Sequence, residues 1–339
     1  HPPPPIEVGD FLPSSVKLVR VLLKNHATSK ELSGMQLNQY VFTFGDYLKS
    51  RFGQSVHKIS LDGGFSCPNR DGTLGRGGCT FCNVHSFAGA QKSKSISEQL
   101  AANRSGKSLK YLAYFQAYTS TYAERQVLMS YYDEALKSAD IVGLCVGTRP
   151  DCVSNDVLDL LASYQDAGKE IWLELGLQTA FYETLMAINR HHTFADYCDA
   201  VSRAHARGLK VCTHLILGLP GEEHLHNLTT LELVLNEGVE ALKLHQLHIV
   251  RGSIMAKQYE RGEISVLELP EYATRAADLI RNTPPQVIFA RVGASVMDDS
   301  LIAPLWSSKR WPCINEIVAI LDRDGPQGSA RGQSFVPLF

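Results

Sequence analysis

The stretch Cys67-Pro-Asn-Arg-Asp-Gly-Thr-Leu-Gly-Arg-Gly-Gly-Cys79-Thr-Phe-Cys82 places three thiols within sixteen residues. Four glycines and one proline lie between the outer cysteines, and because both residue types interrupt helices and strands, a tight loop is predicted. Cys79 and Cys82 form a C-x-x-C pair whose sulfurs can converge on one centre, and Cys67 adds a third sulfur. A structural zinc usually has four ligands, whereas an iron–sulfur cubane bound by three cysteines keeps one iron open. The spacing alone leaves a cluster, a zinc knuckle and a group of reduced thiols open.

A short strand is predicted directly before this loop, at residues 56–61 (Val-His-Lys-Ile-Ser-Leu), and Asp62-Gly-Gly64 ends it. The loop therefore leaves the C-terminal end of a strand. In α/β folds this end of the strands carries the chemistry. We expect the three cysteines to belong to a functional site.

Strand and helix patterns alternate along the following chain. Strands are predicted at 56–61, 110–116, 140–146, 170–176, 209–217 and 239–250, with helices at 97–105, 122–139, 155–167, 181–189, 194–207 and 223–237. Strands that are apolar throughout are buried on both faces, as in parallel sheets. The alternation predicts an α/β fold, either a (β/α) barrel or an open parallel sheet. In a barrel, the polar and glycine-rich turns after the strands converge on one mouth.

The predicted domain organisation has three parts. Residues 1–34, which begin His-Pro-Pro-Pro-Pro and precede Met35, are expected to be an N-terminal extension outside the fold. Residues 35–253 are expected to form the barrel, entered through an amphipathic helix at 38–52. Residues 254–339, with a helix at 270–281 and a strand at 286–292, are expected to pack on the barrel as a C-terminal segment.

Composition limits the classes of function. The chain has 339 residues, of which 44% are hydrophobic, and a formal net charge of −2, so no overall basic field indicates nucleic-acid binding. No apolar run approaches the roughly 18 residues of a membrane span, and no membrane partner is expected. Eight cysteines are too few for a disulfide scaffold in a chain of this length, and their clustering favours a reducing cytoplasm.

The blocks around the cysteine loop resemble a widespread bacterial family of radical S-adenosylmethionine (SAM) proteins. The resemblance covers residues 36–333. It rests on matching blocks in the same order, at 63–73, 77–82, 115–121, 147–151, 174–179, 218–222 and 243–245. The chain is more distantly similar to the radical SAM domain of the Elongator catalytic subunit and to oxygen-independent coproporphyrinogen oxidase.

This resemblance implies a partial (β/α)6 barrel of the radical SAM type with a C-terminal extension. It implies a [4Fe–4S] cluster on Cys67, Cys79 and Cys82, whose open iron chelates S-adenosylmethionine. An electron from a one-electron reductant, such as flavodoxin or ferredoxin, then yields a 5′-deoxyadenosyl radical that abstracts hydrogen from substrate. The commonest spacing in the superfamily is C-x-x-x-C-x-x-C, whereas eleven residues separate Cys67 from Cys79 here. The similar bacterial family shares this long insert.

The resemblance also implies contacts to SAM. Thr119 occupies the position of a motif that meets the methionine amino group. Gln178 matches a glutamine near the ribose, and Arg190 matches an arginine placed for the carboxylate. His214 stands where coproporphyrinogen oxidase has aspartate, and we expect it at the cofactor.

Further polar residues are interpreted with an alternative each. Cys152, just past Thr-Arg-Pro-Asp at the mouth, is either a functional thiol (a hydrogen-atom donor or a second redox thiol) or an inert one. His245 shares a strand face with Lys243 and either contacts substrate or is a core histidine. Glu174 needs a partner on its apolar strand, which favours a polar barrel interior. Arg149 and Asp151 either form an ion pair that closes a turn or contact a ligand.

The substrate is predicted only through the Elongator resemblance, which implies a tRNA base such as a wobble uridine. The alternative from another class is a non-catalytic zinc-binding or RNA-binding module. Metal content separates the two, because about four irons indicate the enzyme and one zinc indicates the module.

Overall fold

The computed structural model describes residues 36–83, 94–104, 106, 110–296, 298–332 and 338. The predicted extension at 1–34 therefore lies outside the described residues. The strands are β1 (Val56–Leu61), β2 (Lys110–Phe115), β3 (Ile141–Thr148), β4 (Glu170–Gln178), β5 (Lys210–Leu217), β6 (Ala241–Gln246), β7 (Ile249–Val250), β8 (Ile288–Arg291) and β9 (Leu301–Ala303). Seven of them form one parallel sheet in the order β1-β2-β3-β4-β5-β6-β8. This curled sheet is a half-barrel and confirms the predicted α/β partial barrel.

Helices connect the strands, and several of them cover the outer face of the sheet. They are α1 (Phe44–Phe52), α2 (Pro68–Asp71), α3 (Ile96–Asn103), α4 (Arg125–Leu136), α5 (Asn155–Asp166), α6 (Tyr182–Ala187), α7 (Phe194–His205), α8 (His224–Asn236), α9 (Ile254–Glu260), α10 (Leu269–Arg281) and α11 (Arg310–Asp324). Local signals start several of them, since the Thr43 and Ser154 side chains accept N-terminal backbone N–H groups of α1 and α5. None of the helices in the described part of the chain has the length and apolar character of a membrane span.

The two faces of the sheet bury different kinds of side chain. The outer face packs apolar residues such as Leu144 and Leu173 against the helices. The inner face is closed at one end by α1, which contacts both edge strands, β1 and β8. There the ring of Trp172 packs edge-on against the rings of Phe44 at 5.1 Å and Tyr47 at 5.5 Å. The opposite end of the inner face, at the C-terminal ends of the strands, stays open as the mouth.

The structure differs from the sequence prediction at several boundaries. The region predicted as one strand at 239–250 is divided into β6 and the short β7, which pairs antiparallel with β9. The helix predicted at 38–52 begins only at Phe44, because Thr43 provides the cap. The strand predicted at 286–292 forms as β8 and extends the sheet beside β6, so the sheet has seven strands rather than six. The last helix, α11, packs on α10.

Candidate active site

A cleft opens at the mouth, where the C-terminal ends of β2, β3, β4 and β5 meet the cysteine loop. Its lining includes the three loop cysteines, Cys67, Cys79 and Cys82. The predicted cofactor residues Thr119, Gln178, Arg190 and His214 line the same cleft. Residues from five separate chain segments therefore converge on one place.

The cysteine loop is held by its own backbone. Cys67 precedes α2, and its carbonyl accepts hydrogen bonds from the Arg70 N–H at 2.8 Å and the Asp71 N–H at 3.1 Å. Gly78 has a φ of +83°, and a Cβ there would lie 2.8 Å from Nε of Arg70. Glycine is therefore required at 78, both for the left-handed backbone and for the close approach of Arg70.

Three side chains donate N–H groups toward the thiol sulfurs. Asn69, which is fully buried, places Nδ2 3.6 Å from Sγ of Cys79, and Nη1 of Arg190 lies 3.4 Å from the same sulfur. Nη2 of Arg70 lies 3.8 Å from Sγ of Cys82 and donates to the Cys82 carbonyl at 3.1 Å. Such donors stabilise negative charge on sulfur, which a metal-bound thiolate carries.

The spacing of the three sulfurs bears on which of the two kinds of metal site left open by the sequence fits the cleft. Of the residues that the structure describes, Cys67, Cys79 and Cys82 do not form a group whose ligand atoms all lie within 4.8 Å of one another. Sulfurs bound to one tetrahedral zinc are about 3.8 Å apart, given a Zn–S bond of about 2.3 Å. The wider arrangement favours a larger metal group. Burial, together with the neighbouring Cys79, raises the pKa of the Cys82 thiol to about 11, so this thiol is protonated at neutral pH.

Backbone strain is concentrated around the cleft. The non-glycine residues with positive φ in the described part of the chain are Tyr118, Gln178, Asn189 and His191. Tyr118 and Gln178 line the cleft, and the other two flank Arg190. Asn189 donates from Nδ2 to the Gly78 carbonyl at 2.7 Å and accepts from Nδ2 of Asn69 at 2.5 Å through its own carbonyl. Each such residue costs about 1–3 kcal/mol, a cost that typically persists at functional sites.

Two guanidinium groups form the wall beside the cysteines. Arg190 donates from Nη2 to the Gly176 carbonyl at 2.5 Å, and its buried Nε has no partner among the described residues. Arg149 pairs with Asp151 through two hydrogen bonds at 2.9 and 2.8 Å, as the ion-pair interpretation predicts. It also donates to the Arg190 carbonyl at 2.7 Å, while its buried Nη1 has no partner in the described part of the chain. The wall therefore offers two unused donors.

The floor of the cleft is a polar network centred on Glu174, which is 1% exposed. Its carboxylate accepts from Nζ of Lys58 at 2.6 Å, Nζ of Lys243 at 2.7 Å and Nε2 of His214 at 2.7 Å. Burial alone raises the pKa of Glu174, but Lys243 and Lys58 hold it well below its usual range. Burial lowers the pKa of His214 to about 4, so this ring is neutral and donates to the carboxylate. The predicted polar barrel interior is present.

The two other predicted site residues lie apart from this lining. Cys152 ends a short 3₁₀ turn, Pro150–Cys152, and burial raises the pKa of its thiol to about 12. His245 lies on β6 and its Nδ1 donates to the Gln246 carbonyl at 2.7 Å. Neither residue is among those that line the cleft.

Sequence reasoning missed several residues of the site: Lys58, Asn69, Arg70, Tyr114 and Asn189. Asn69 and Arg70 lie within the quoted loop, so their position beside the cysteines was an available signal. Lys58 lies among strand residues of alternating character, and its contact with Glu174 depends on sheet register, which sequence pattern alone does not supply.

Comparison with known proteins agrees with this geometry. The model of the Radical SAM superfamily matches residues 71–234, and that of the Radical_SAM C-terminal domain matches residues 239–323. Protein YhcC of Escherichia coli (strain K12) is 57% identical over 306 residues, which cover 89% of this chain and 99% of that protein. These matches confirm the family predicted from the motif blocks.

Two more distant proteins resemble parts of the chain. A tRNA uridine(34) acetyltransferase of Dehalococcoides mccartyi is 27% identical over 154 residues, covering 44% of this chain and 33% of that protein. The structure of Elp3 from Methanocaldococcus infernus, lacking residues 1–46, matches with a TM-score of 0.56 at 18% identity, covering 80% of this chain and 64% of that one. The second match shows a shared fold. The chain belongs to the radical SAM superfamily and is an enzyme of the kind that uses a [4Fe–4S] cluster and S-adenosylmethionine.

Proposed function

We propose that Cys67, Cys79 and Cys82 bind the [4Fe–4S] cluster of this enzyme. The observation that carries the proposal is the convergence of three thiols on one strained cleft, at a spacing wider than a single zinc requires. When bound, the cluster and SAM together supply a 5′-deoxyadenosyl radical that takes a hydrogen atom from the substrate.

Asn69, Arg70 and Arg190 stabilise the thiolates. Each directs an N–H group at a ligand sulfur, at 3.4 to 3.8 Å. Hydrogen bonds to ligand sulfur and exclusion of water are two of the means by which a protein sets the potential of an iron–sulfur site. Cys79 is 6% exposed, which supports such exclusion.

The two unused guanidinium donors fit the carboxylate of SAM. Nη1 of Arg149 and Nε of Arg190 are buried without a described partner, and a buried donor without an acceptor is costly. A bound carboxylate supplies the missing acceptor. Thr119 and Gln178 line the same cleft, and His214 is fixed there as a neutral ring by Glu174. We assign these residues to the binding of SAM.

For the substrate we infer a nucleoside of RNA, with the wobble uridine of tRNA as the first candidate. The similarity to a tRNA uridine(34) acetyltransferase supports this choice. A local patch supports it too, because Lys309, Arg310 and Trp311 are exposed, with 65% of Trp311 accessible. Ser307, close to them in sequence, accepts a hydrogen bond at 2.8 Å from Gln246 at the C-terminal end of β6. Cations beside an exposed aromatic ring suit phosphates and bases.

The electron must come from a partner. We infer a one-electron donor such as flavodoxin or ferredoxin, and a reducing cytoplasm as the compartment. The free thiols at the mouth are compatible with that compartment.

The enzymatic part of the proposal is tested by anaerobic reconstitution with iron and sulfide. Reduced protein with SAM is expected to release 5′-deoxyadenosine, and the Cys79→Ala variant is expected to release none. Release by this variant at the wild-type level would contradict the assignment of the cluster ligands.

The RNA part needs a separate experiment. Modified nucleosides of tRNA are compared by mass spectrometry between a strain that lacks the gene and the same strain complemented with the wild-type gene or with Cys79→Ala. One nucleoside is expected to change in the deletion strain and return only with the wild-type gene. An unchanged profile would exclude tRNA as the substrate without affecting the cluster assignment.

A further inference from the structure

The interior of the half-barrel holds more positive than negative charge. Lys58 and Lys243 each form an ion pair with Glu174 and with no other described carboxylate. Glu174 is saturated by these ammonium groups and by His214. Any further cation in this interior therefore has no carboxylate left to pair with.

Arg291 is that further cation. It ends β8, and its backbone is in register with Lys243 on β6. Its Nε is buried without a hydrogen-bond partner, and among the residues that the structure describes it forms no ion pair. The residue as a whole is half-buried. Arginine stays protonated in proteins, and a buried guanidinium N–H without an acceptor is unfavourable unless a ligand or partner compensates it.

Two histidines lie near Arg291, since its charge, after burial, lowers the pKa of both His245 and His248. The ring of His248 packs edge-on against the ring of His245 at 4.8 Å. His248 is 7% exposed, and neither of its ring nitrogens has a partner in the described part of the chain. Burial, together with the charge of Arg291, lowers the pKa of His248 to about 4, so the ring is neutral and retains one N–H donor. Two side chains, Arg291 and His248, thus hold donors without acceptors at the β6–β8 side of the mouth.

A metal ion is not the ligand that this region of the barrel interior favours. Glu174, Cys212 and His214 do place ligand atoms within 4.8 Å of one another. The Glu174 carboxylate is already bound by two ammonium groups at 2.6 and 2.7 Å, however, and these two cations repel a metal ion. The excess positive charge and the unused N–H donors both favour binding of an anion.

We propose that Arg291, His248 and His245 form an oxyanion-binding subsite for the substrate. Arg291 supplies the charge and His248 supplies an N–H donor. The ring of His245, whose own N–H is bonded to the Gln246 carbonyl, packs against His248 and positions it. Under the proposed RNA function, on which the choice of phosphate rests, the ligand is a phosphate of the nucleotide that reacts. The subsite lies on β6 and β8 and shares none of its three residues with the lining of the cofactor cleft.

Calorimetric titration of the reconstituted protein, with SAM present to fill the cofactor cleft, tests the subsite. Inorganic phosphate, uridine 5′-monophosphate, uridine and acetate are titrated separately. Phosphate and uridine 5′-monophosphate are expected to bind, and Arg291→Gln is expected to weaken both by about tenfold or more, because a charge-assisted hydrogen bond is lost. Arg323→Gln, which alters an arginine with 71% of its side chain exposed, is the matched control and is expected to bind like the wild type.

A second measurement separates a ligand site from a structural arginine. Arg291→Met removes the unpaired charge, so its urea midpoint without phosphate is expected to equal or exceed that of the wild type. Phosphate is expected to raise the wild-type midpoint only. If Arg291→Met does not fold, His248→Phe takes its place. This variant keeps a ring but removes both nitrogens, and its affinity for phosphate is expected to be several-fold lower than that of the wild type.

The outcomes are distinct. Equal phosphate affinity in wild type and Arg291→Gln, or a lower urea midpoint of Arg291→Met without phosphate, would overturn the subsite. Binding of acetate but not phosphate, lost in Arg291→Gln, would support the subsite and assign it to a carboxylate, which counts against an RNA substrate. Phosphate binding that is lost in Arg291→Gln, together with an unchanged tRNA nucleoside profile in the deletion strain, would support the subsite and would reject only tRNA as the substrate.

Discussion

Glu170 and Glu174 lie four residues apart on strand β4, and both are buried, with 3% and 1% of their surface exposed. Glu170 accepts hydrogen bonds from Tyr47 at 2.7 Å, Trp172 at 2.9 Å and Lys210 at 2.8 Å. These partners lie at the end of the barrel that α1 closes. Nε of Arg51 lies 3.6 Å from Oε2 of Glu170, and 61% of the Arg51 side chain is exposed, so this network reaches the solvent.

Glu174 has a different environment. Its cationic partners are more deeply enclosed, since 22% of the Lys58 side chain and 8% of the Lys243 side chain are exposed. It also lines the cleft beside the three cysteines. One strand therefore carries a carboxylate that joins the elements of the closed end and another that organises the floor of the cleft.

The largest effect is expected at the cleft end. Cys79→Ala removes a proposed cluster ligand, so reconstituted protein is expected to lose its about four irons and to form no 5′-deoxyadenosine above background. Cys198→Ala, which alters a half-buried thiol on helix α7, is the matched control and is expected to keep both. Iron analysis and product quantification check the pair. Equal iron content in the two variants would show that Cys79 is not a ligand of the cluster.

The comparison of the two carboxylates is tested by replacing each with alanine. Glu174→Ala leaves two enclosed ammonium groups unpaired, and the free energy of unfolding is expected to fall by about 3–5 kcal/mol. Glu170→Ala leaves partners that water reaches, so a loss of about 1–3 kcal/mol is expected. Urea denaturation of the two variants measures the difference. A larger loss in Glu170→Ala would reverse the comparison.

Arg190→Gln removes the guanidinium that donates to Cys79 and borders the cleft. The rate of 5′-deoxyadenosine formation is expected to fall about 10- to 100-fold with iron content retained, as is typical for residues that support metal ligands. The reduction potential of the cluster is expected to shift as well, because a hydrogen bond to ligand sulfur is lost. Arg323→Gln is the control. An unchanged potential together with an unchanged rate would leave Arg190 without a role at the cluster.

The smallest effect concerns pH. The pKa of His248 is about 4 in the folded chain and 6.5 for a free histidine. Between these values the unfolded chain binds more protons, so stability falls as pH is lowered from 6.5 to 4. At pH 5 the contribution lost is about 1–2 kcal/mol relative to pH 7. His248→Gln is expected to reduce the difference in unfolding free energy between pH 7 and pH 5 by this amount, and an identical difference in the two proteins would contradict the buried neutral ring.

Much of the fold could be predicted because its signals are local. The strand predicted at 170–176 forms within β4, and the sequence 140–146 forms most of β3, since uninterrupted apolar residues between turns indicate buried parallel strands. Glu174 was a conspicuous charge on such a strand, and its partnered interior position was predicted for that reason. The cysteine loop was visible because glycine and cysteine constrain backbone and chemistry directly.

The remainder depends on contacts between distant parts of the chain. Arg291 lies beside Lys243 only because β8 pairs with β6. The weak strand pattern near residue 288 does not predict which strand β8 pairs with. The donation of Asn189 to Gly78 spans 111 residues, and the left-handed backbone of Asn189 has no distinctive sequence signal. Charge balance in the barrel interior likewise became countable only after the register of the strands was known.

Electron paramagnetic resonance of the reduced, reconstituted protein tests the central assignment most directly. A spectrum of a [4Fe–4S] cluster that changes when SAM is added is expected for the wild type, and no cluster spectrum is expected when Cys67, Cys79 and Cys82 are all replaced by alanine. A cluster spectrum in the triple variant that matches the wild type, or a wild-type spectrum that SAM leaves unchanged, would contradict the account.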